Sequence, residues 1–393
     1  MVKQRKSTPE ANSVRRLEIH GFRRLASLSL EMRPLMTLIG ANGVGKTSLL
    51  DAVMLLSASA QTELNQALST HGGLPSLLTR RGDDDLSLQA EMPVPGHKPL
   101  RYQLRLAPQG PGYRIAAESL TQEREGRHGD PFKHIDSVNT RVRYFDIQSK
   151  DLIEPTWSHD PLETTLSQVP RMFGEPESLR KALSSVTLYH ALDVGPRAPV
   201  KLPQAMRPAT HPGANGEDLV TYLYYLRESD RSRFESIEDS LHAAYSDFEE
   251  LSFPPVAAGM LTMTWRSRGF TKPFYAHELS EGTLRFLWLV SLLQSPALPT
   301  ITMIDEPEVS LHPELLSLLA DLLREASART QLIVATHSDR LIRFLNPDEV
   351  AVMDMDEGGG ASAVWADSLD LDSWLAEYSL DEVWRMGRMG GRA

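Results

Sequence analysis

The chain has 393 residues, a formal net charge of −11, 41% apolar and 24% charged residues, and no cysteine. This composition excludes whole-chain disorder, disulfides, a thiol nucleophile and a Cys-based zinc site. The acidic balance argues against a non-specific polyanion binder but says nothing about local basic patches.

Residues 1–13 are polar and are expected to form a disordered tail without the apolar core of a secretory signal. No apolar run approaches the 18 residues of a membrane span, so the expectation is a cytoplasmic protein without membrane contact. Residues 16–22 and 28–32 alternate like half-buried strands, and 35–39 is the continuous apolar run of a fully buried strand. A glycine-rich turn and a helix over 47–56 follow. Residues 101–106 and 113–117 alternate around the breaker cluster 108–112, which predicts a hairpin. A strand over 141–147 comes next, then helices over 217–227 and 231–245. The last third predicts a buried strand at 300–304 and an amphipathic helix at 313–328 with Pro313 at its first position. A buried strand at 331–335, a short helix at 339–344 and a strand at 349–353 close the series. Strands alternating with helices predict an α/β fold with a mainly parallel sheet and right-handed crossovers.

Gly40-Ala41-Asn42-Gly43-Val44-Gly45-Lys46-Thr47 fits G-x-x-x-x-G-K-[ST] and stands between the buried strand and the helix that Ser48 helps to open. Glycines let the backbone close around phosphate oxygens, and the amides of the loop and helix start bind the anion. Lys46 would reach the β- and γ-phosphates, and the Thr47 hydroxyl would ligate Mg²⁺. The strand at 300–304 ends in Asp305 and Glu306; the first would hold Mg²⁺ through water and the second would polarise the attacking water. His337 ends the next strand, at the edge where ligands bind in such sheets, and would sense the γ-phosphate. Ser280, followed by Glu281 and Gly282, is a natural helix N-cap, and such a turn also binds anions.

These four motifs, in this order, resemble the ABC-type ATPases of the SMC/RecF branch. They are similar to stand-alone bacterial AAA-family ATPases close to the ATPase module of the overcoming-lysogenization-defect (OLD) nucleases. The resemblance implies a P-loop fold split between residues 14–60 and 276–393. Residues 61–275 would form an insertion with an antiparallel β subdomain and a helical lid. It also implies an ATP-sandwiched homodimer in which Ser280 and Gly282 contact the γ-phosphate bound to the other protomer, with His337 as the switch histidine. A lid glutamine near the metal is expected too, and Gln148 is the candidate. Long coiled-coil arms are absent. Asp354-Met355-Asp356-Glu357 mimics an acidic Toprim pair, but the following glycines favour a solvated loop.

The expected activity is Mg²⁺-dependent ATP hydrolysis in anti-phage defence or DNA maintenance, beside a separately encoded effector. The alternative is a nucleotide-dependent scaffold with marginal turnover. Lys3, Arg5, Lys6, Arg15, Arg16, Arg23 and Arg24 cluster early and offer a DNA contact, although such runs are more often solvated.

Overall fold

The structure is a computed structural model that describes residues 13–80, 84–124, 130–139, 141–356 and 358–390. The expected 1–13 tail, apart from Ser13, and with it Lys3, Arg5 and Lys6, lies outside the described residues.

A six-stranded sheet organises the chain. Its order is Val186–Tyr189, Ile301–Asp305, Gln331–Ala335, Leu35–Ile39, Val350–Met355, Ala361–Trp365. The first five strands run parallel. The sixth is antiparallel, so the sheet is mainly parallel, as expected. The cause of the reversal is local. The amide of Gly359 donates to Asp356 O at 2.7 Å and that of Asp356 to Gly360 O at 2.8 Å, closing a tight turn. A connection that short can only reverse the chain.

Alternate residues of the parallel strands enter two different cores. Met36, Leu38, Met303, Ile333 and Ala351 face one, and Leu35, Ile39, Ile304, Leu332 and Val350 the other. The first core is closed by helices Lys46–Ala60 and Gly174–Ser184 and by an eight-stranded antiparallel sheet. That sheet contains both Arg16–Phe22 and Leu25–Glu31. Of the strands expected in the amino-terminal half of the parallel sheet, only Leu35–Ile39 joins it. The reason is visible in the burial: Leu25–Glu31 alternates buried and exposed, whereas Leu35–Ile39 is buried throughout. The expected hairpin forms between His97–Gln109 and Gly112–Gln122. The expected strand at 141–147 shortens to Tyr144–Asp146.

Two further differences concern the segment 61–275. It supplies Val186–Tyr189, an edge strand of the parallel sheet, so it is not wholly an insertion. Its helices Leu219–Ser229 and Arg231–Ala244 bury Tyr222, Leu223, Phe234 and Ile237 in one core with Trp288 and Leu292 of helix Glu281–Leu293. They are part of the body rather than a detached lid. Helix Leu315–Ser327 starts two residues after Pro313, which lies in the preceding turn.

Candidate functional site

Strand Leu35–Ile39 runs directly into the glycine-rich loop, and helix Lys46–Ala60 leaves it. Gly40 has φ +148°, and a Cβ there would sit 2.3 Å from the Met353 carbonyl oxygen. No other residue fits that position without moving the neighbouring strand. The helix has Gly45 at its N-cap and no side-chain cap. Its first amides therefore lack a side-chain acceptor and point at the space where an anion would bind.

Lys46 is expected to face solvent on the way to a phosphate, but it is only 5% exposed. Its ammonium folds back to donate to the carbonyl oxygens of Gly40 and, at 3.1 Å, Ala41, and stands 3.3 Å from His337 Nδ1. Burial lowers its pKa to about 8, while Asp305 and Glu306 pull it back up. The lysine thus reports how close the two carboxylates stand. Thr47, the expected metal ligand, is exposed beside it, and Asn42 and Gly43 are exposed too.

Asp305 ends strand Ile301–Asp305, and burial, then the neighbouring Glu306, raises its pKa. Glu306 adopts φ +53°, a left-handed conformation that a residue other than glycine seldom adopts. Its amide donates to Ala335 O at 2.8 Å, which pins the strained residue to the neighbouring strand. Strain of this kind collects where side-chain direction matters. His337 is half-buried; burial, then the Lys46 ammonium, lowers its pKa and favours neutral imidazole. Glu308 bridges the two strand ends. It accepts from Thr336 Oγ1 at 2.5 Å and from the His337 amide at 3.4 Å.

The structure therefore brings loop 40–48, Asp305, Glu306 and His337 together at one sheet edge. Ser280 and Gly282 are held elsewhere. Ser280 caps helix Glu281–Leu293 by accepting from the Thr283 amide at 3.1 Å, and it is exposed. A Cβ on Gly282 would sit 2.6 Å from Ser310 O. Arg285 fastens the same junction: it donates to Ser310 Oγ at 2.8 Å, Val309 O at 3.3 Å and Leu192 O at 3.1 Å. This turn is thus built onto the 306–310 turn and makes no hydrogen bond to loop 40–48.

Gln148 is not brought to the site. It lies in an exposed turn between Tyr144–Asp146 and Asp151–Ile153, at the outer edge of the antiparallel sheet. The opposite edge strand, Leu25–Glu31, is the one that abuts the phosphate loop, with Leu25 Cδ2 3.2 Å from a Cβ placed on Gly45. The residue missed in the sequence is His190, whose Nδ1 stands 3.7 Å from Asp305 Oδ2. The only sequence signal was a short apolar segment, 186–189, ending in a histidine, as 331–335 ends before His337.

Among the described residues, no group of three or more His, Cys, Asp or Glu could hold a metal alone, and no helix is long and apolar enough to cross a membrane. The early basic residues are engaged: Arg15 with Glu91 at 3.9 Å, Arg16 with Glu18 at 3.9 Å, and Arg23 with Asp51. Asp354 and Asp356 are exposed, Asp356 accepts from the Gly360 amide at 2.7 Å, and Glu357 lies outside the described residues.

The family described as "AAA domain, putative AbiEii toxin, Type IV TA system" matches residues 35–343, which spans loop 40–48, Asp305, Glu306 and His337. The chain belongs to this AAA-domain family. No curated protein matches it. An SMC head domain bound to the C-terminal winged-helix domain of ScpA is similar at 13% identity and TM-score 0.55, covering 94% of this chain and 99% of that one. The SMC head domain from Thermotoga maritima (14%, TM-score 0.48) covers 90% of this chain and 98% of that one. A head domain with an extended coiled coil, bound to the C-terminal domain of ScpA derived from Pyrococcus furiosus (12%, TM-score 0.49), covers 95% and 98%. The first of these shows the fold alone, an α/β head domain of the SMC type. The family and the fold agree with the resemblance that the motif order carried.

Proposed function

We propose that this chain binds ATP with Mg²⁺ and hydrolyses it to ADP and phosphate. The observation that carries the reading is the convergence of three separate chain segments on one sheet edge: loop 40–48, Asp305 with Glu306, and His337. A hydroxyl on Thr47 and a carboxylate on Asp305 are oxygen donors suited to a hard cation that keeps several waters and relies on phosphate oxygens for the rest. Mg²⁺, when bound, neutralises charge on the phosphates.

The chain's own residues do the remainder. The amides of loop 40–48 wrap the triphosphate. Lys46 exchanges the Gly40 and Ala41 carbonyls for phosphate oxygens, a swap of neutral acceptors for charged ones that favours binding. Glu306 orients and polarises the attacking water, and its strained backbone fixes the direction of the carboxylate. Neutral His337 accepts from Lys46 at an unprotonated Nδ1, or, in the tautomer that protonates Nδ1, donates to the transferred phosphate. Ser280 and Gly282 serve the nucleotide of a second copy, giving an ATP-sandwiched homodimer. Residues 14–60 and 276–393 form the catalytic part, together with strand Val186–Tyr189.

The remaining surfaces of 61–275 are where we place contact with a separately encoded effector. The family's toxin–antitoxin description favours a role in anti-phage defence over general DNA maintenance. The cytoplasm is the corresponding location.

Isothermal calorimetry of ATP with wild type and Lys46→Ala, paired with phosphate release by wild type and Glu306→Gln, tests this. The expected outcome is ATP binding lost in the first variant and turnover lost with binding retained in the second. Equal ATP affinity in folded Lys46→Ala would remove the assignment. ATP binding with negligible wild-type turnover would leave the scaffold alternative in its place.

A further inference from the structure

His190 is outside every motif that defines the site, yet the fold delivers it there. Strand Val186–Tyr189 pairs in parallel with Ile301–Asp305, with Tyr189 opposite Ile304. The next residue on each strand is His190 on one and Asp305 on the other, so both leave the same sheet edge side by side. His190 Nδ1 is 3.7 Å from Asp305 Oδ2, and the His190 side chain is 67% exposed. The next residues of this segment are anchored, because Leu192 O accepts from Arg285 Nε at 3.1 Å. The imidazole is therefore presented by a fixed stretch of backbone.

The separation has a chemical meaning. Two donors that share one first-row divalent cation each lie about 2.1 Å from it and so about 3–4 Å from one another. A carboxylate oxygen and an imidazole nitrogen at 3.7 Å lie within that range, and a small side-chain rotation brings them to the roughly 3 Å of adjacent octahedral ligands. No group of three or more His, Cys, Asp or Glu exists among the described residues to hold a cation by itself. A shared cation must take its other ligands from Thr47, water and the nucleotide's phosphates. The geometry points to His190 as a nitrogen ligand of the nucleotide-bound divalent cation, giving this site a mixed nitrogen–oxygen shell. This rests on the nucleotide site proposed above and adds metal specificity to it.

The consequence is a shifted metal preference. Imidazole donors favour later first-row ions over Mg²⁺, whereas an all-oxygen shell does not. The site should hold Mn²⁺–ATP or Co²⁺–ATP more tightly than Mg²⁺–ATP. The surplus should disappear when the imidazole is replaced by an oxygen-donating side chain.

Pulsed electron paramagnetic resonance on Mn²⁺–ATP bound to Glu306→Gln protein, with histidine labelled by ¹⁵N, reads the bond directly. A coupling from a ligated ¹⁵N nucleus is expected, dependent on nucleotide and lost when His190→Gln is added. Calorimetry on the same samples should show Mn²⁺–ATP affinity falling about tenfold and Mg²⁺–ATP affinity changing much less. Bound Mn²⁺–ATP without a nitrogen coupling, or a coupling that survives His190→Gln, overturns the inference while leaving the nucleotide site intact. If neither metal–nucleotide binds the parent protein, the nucleotide assignment falls and this inference falls with it.

Discussion

Lys46 carries two opposed demands. Its ammonium is nearly buried, and its pKa falls to about 8 from an ordinary 10.5. Between those values the unfolded chain binds a proton there that the folded chain does not, so this group makes stability rise with pH across that window. The stability of wild type relative to Lys46→Met should therefore increase from pH 8 to pH 10.5, on the order of 1 kcal/mol after screening from the open side. Denaturant unfolding of both proteins across that range measures it. A flat difference would mean that the lysine is solvated. The same pair separates binding from folding: ATP at a hundred times its Kd should add about 2.7 kcal/mol to wild type and nothing to Lys46→Met. Glu306 is the other residue at this scale. Glu306→Gln keeps the backbone, including its amide bond to Ala335 O, but removes the base. Phosphate release should drop at least about 100-fold. A smaller loss would assign the water to another group.

At the scale of elements, the junction between helix Glu281–Leu293 and the 306–310 turn has little room to yield. Gly282→Ala would place a Cβ 2.6 Å from Ser310 O, a backbone atom. The helix or the turn must move, so a cost of about 1–3 kcal/mol in denaturant unfolding is expected. Turnover should fall further than the folded fraction does, because the turn carries Glu306. Arg285→Ala opens the same junction without a clash and should lower turnover with a smaller stability cost. If Gly282→Ala unfolds like wild type, the two elements are less tightly joined than the geometry requires. These contacts also mark the limit of what the sequence could say. The phosphate loop and the two carboxylates were legible because glycine spacing and a buried run ending in charge are local signals. The antiparallel sheet was partly legible through its alternation. The left-handed Glu306 was not, since nothing but glycine advertises a positive φ. Neither was the pairing of Val186–Tyr189 with Ile301–Asp305, more than a hundred residues apart, which is why His190 was passed over and Gln148 taken. Lys46 was misjudged for a similar reason: its neighbour His337 arrives from a distant strand.

At the scale of the whole molecule, the question is why the Ser280 turn faces solvent. Ser280 is exposed, its helix start is capped only by its own hydroxyl, and Gly282 is occupied with Ser310. It makes no hydrogen bond to the phosphate loop of its own chain. A helix N-terminus capped by one exposed hydroxyl can take an anion if one is delivered to it, and a second copy with ATP in its loop would deliver one. Each γ-phosphate would then gain a hydroxyl and a helix start in the dimer and lose both when it leaves. Glu306→Gln should therefore accumulate a dimer in ATP, seen as a doubling of mass by size exclusion with light scattering. Adding Ser280→Arg should return it to the nucleotide-free mass, because a long cation replaces a small hydroxyl at the contact. The substitution removes the N-cap that Ser280 gives Thr283, so it should cost about 1 kcal/mol in unfolding while leaving ATP affinity of the single chain intact. A constitutive dimer through another face would mask the mass change, so turnover decides the matter: in an otherwise wild-type chain, Ser280→Arg should lower it at least tenfold. Turnover that stays at the wild-type level, together with a mass indifferent to ATP, would mean that each chain completes its site alone.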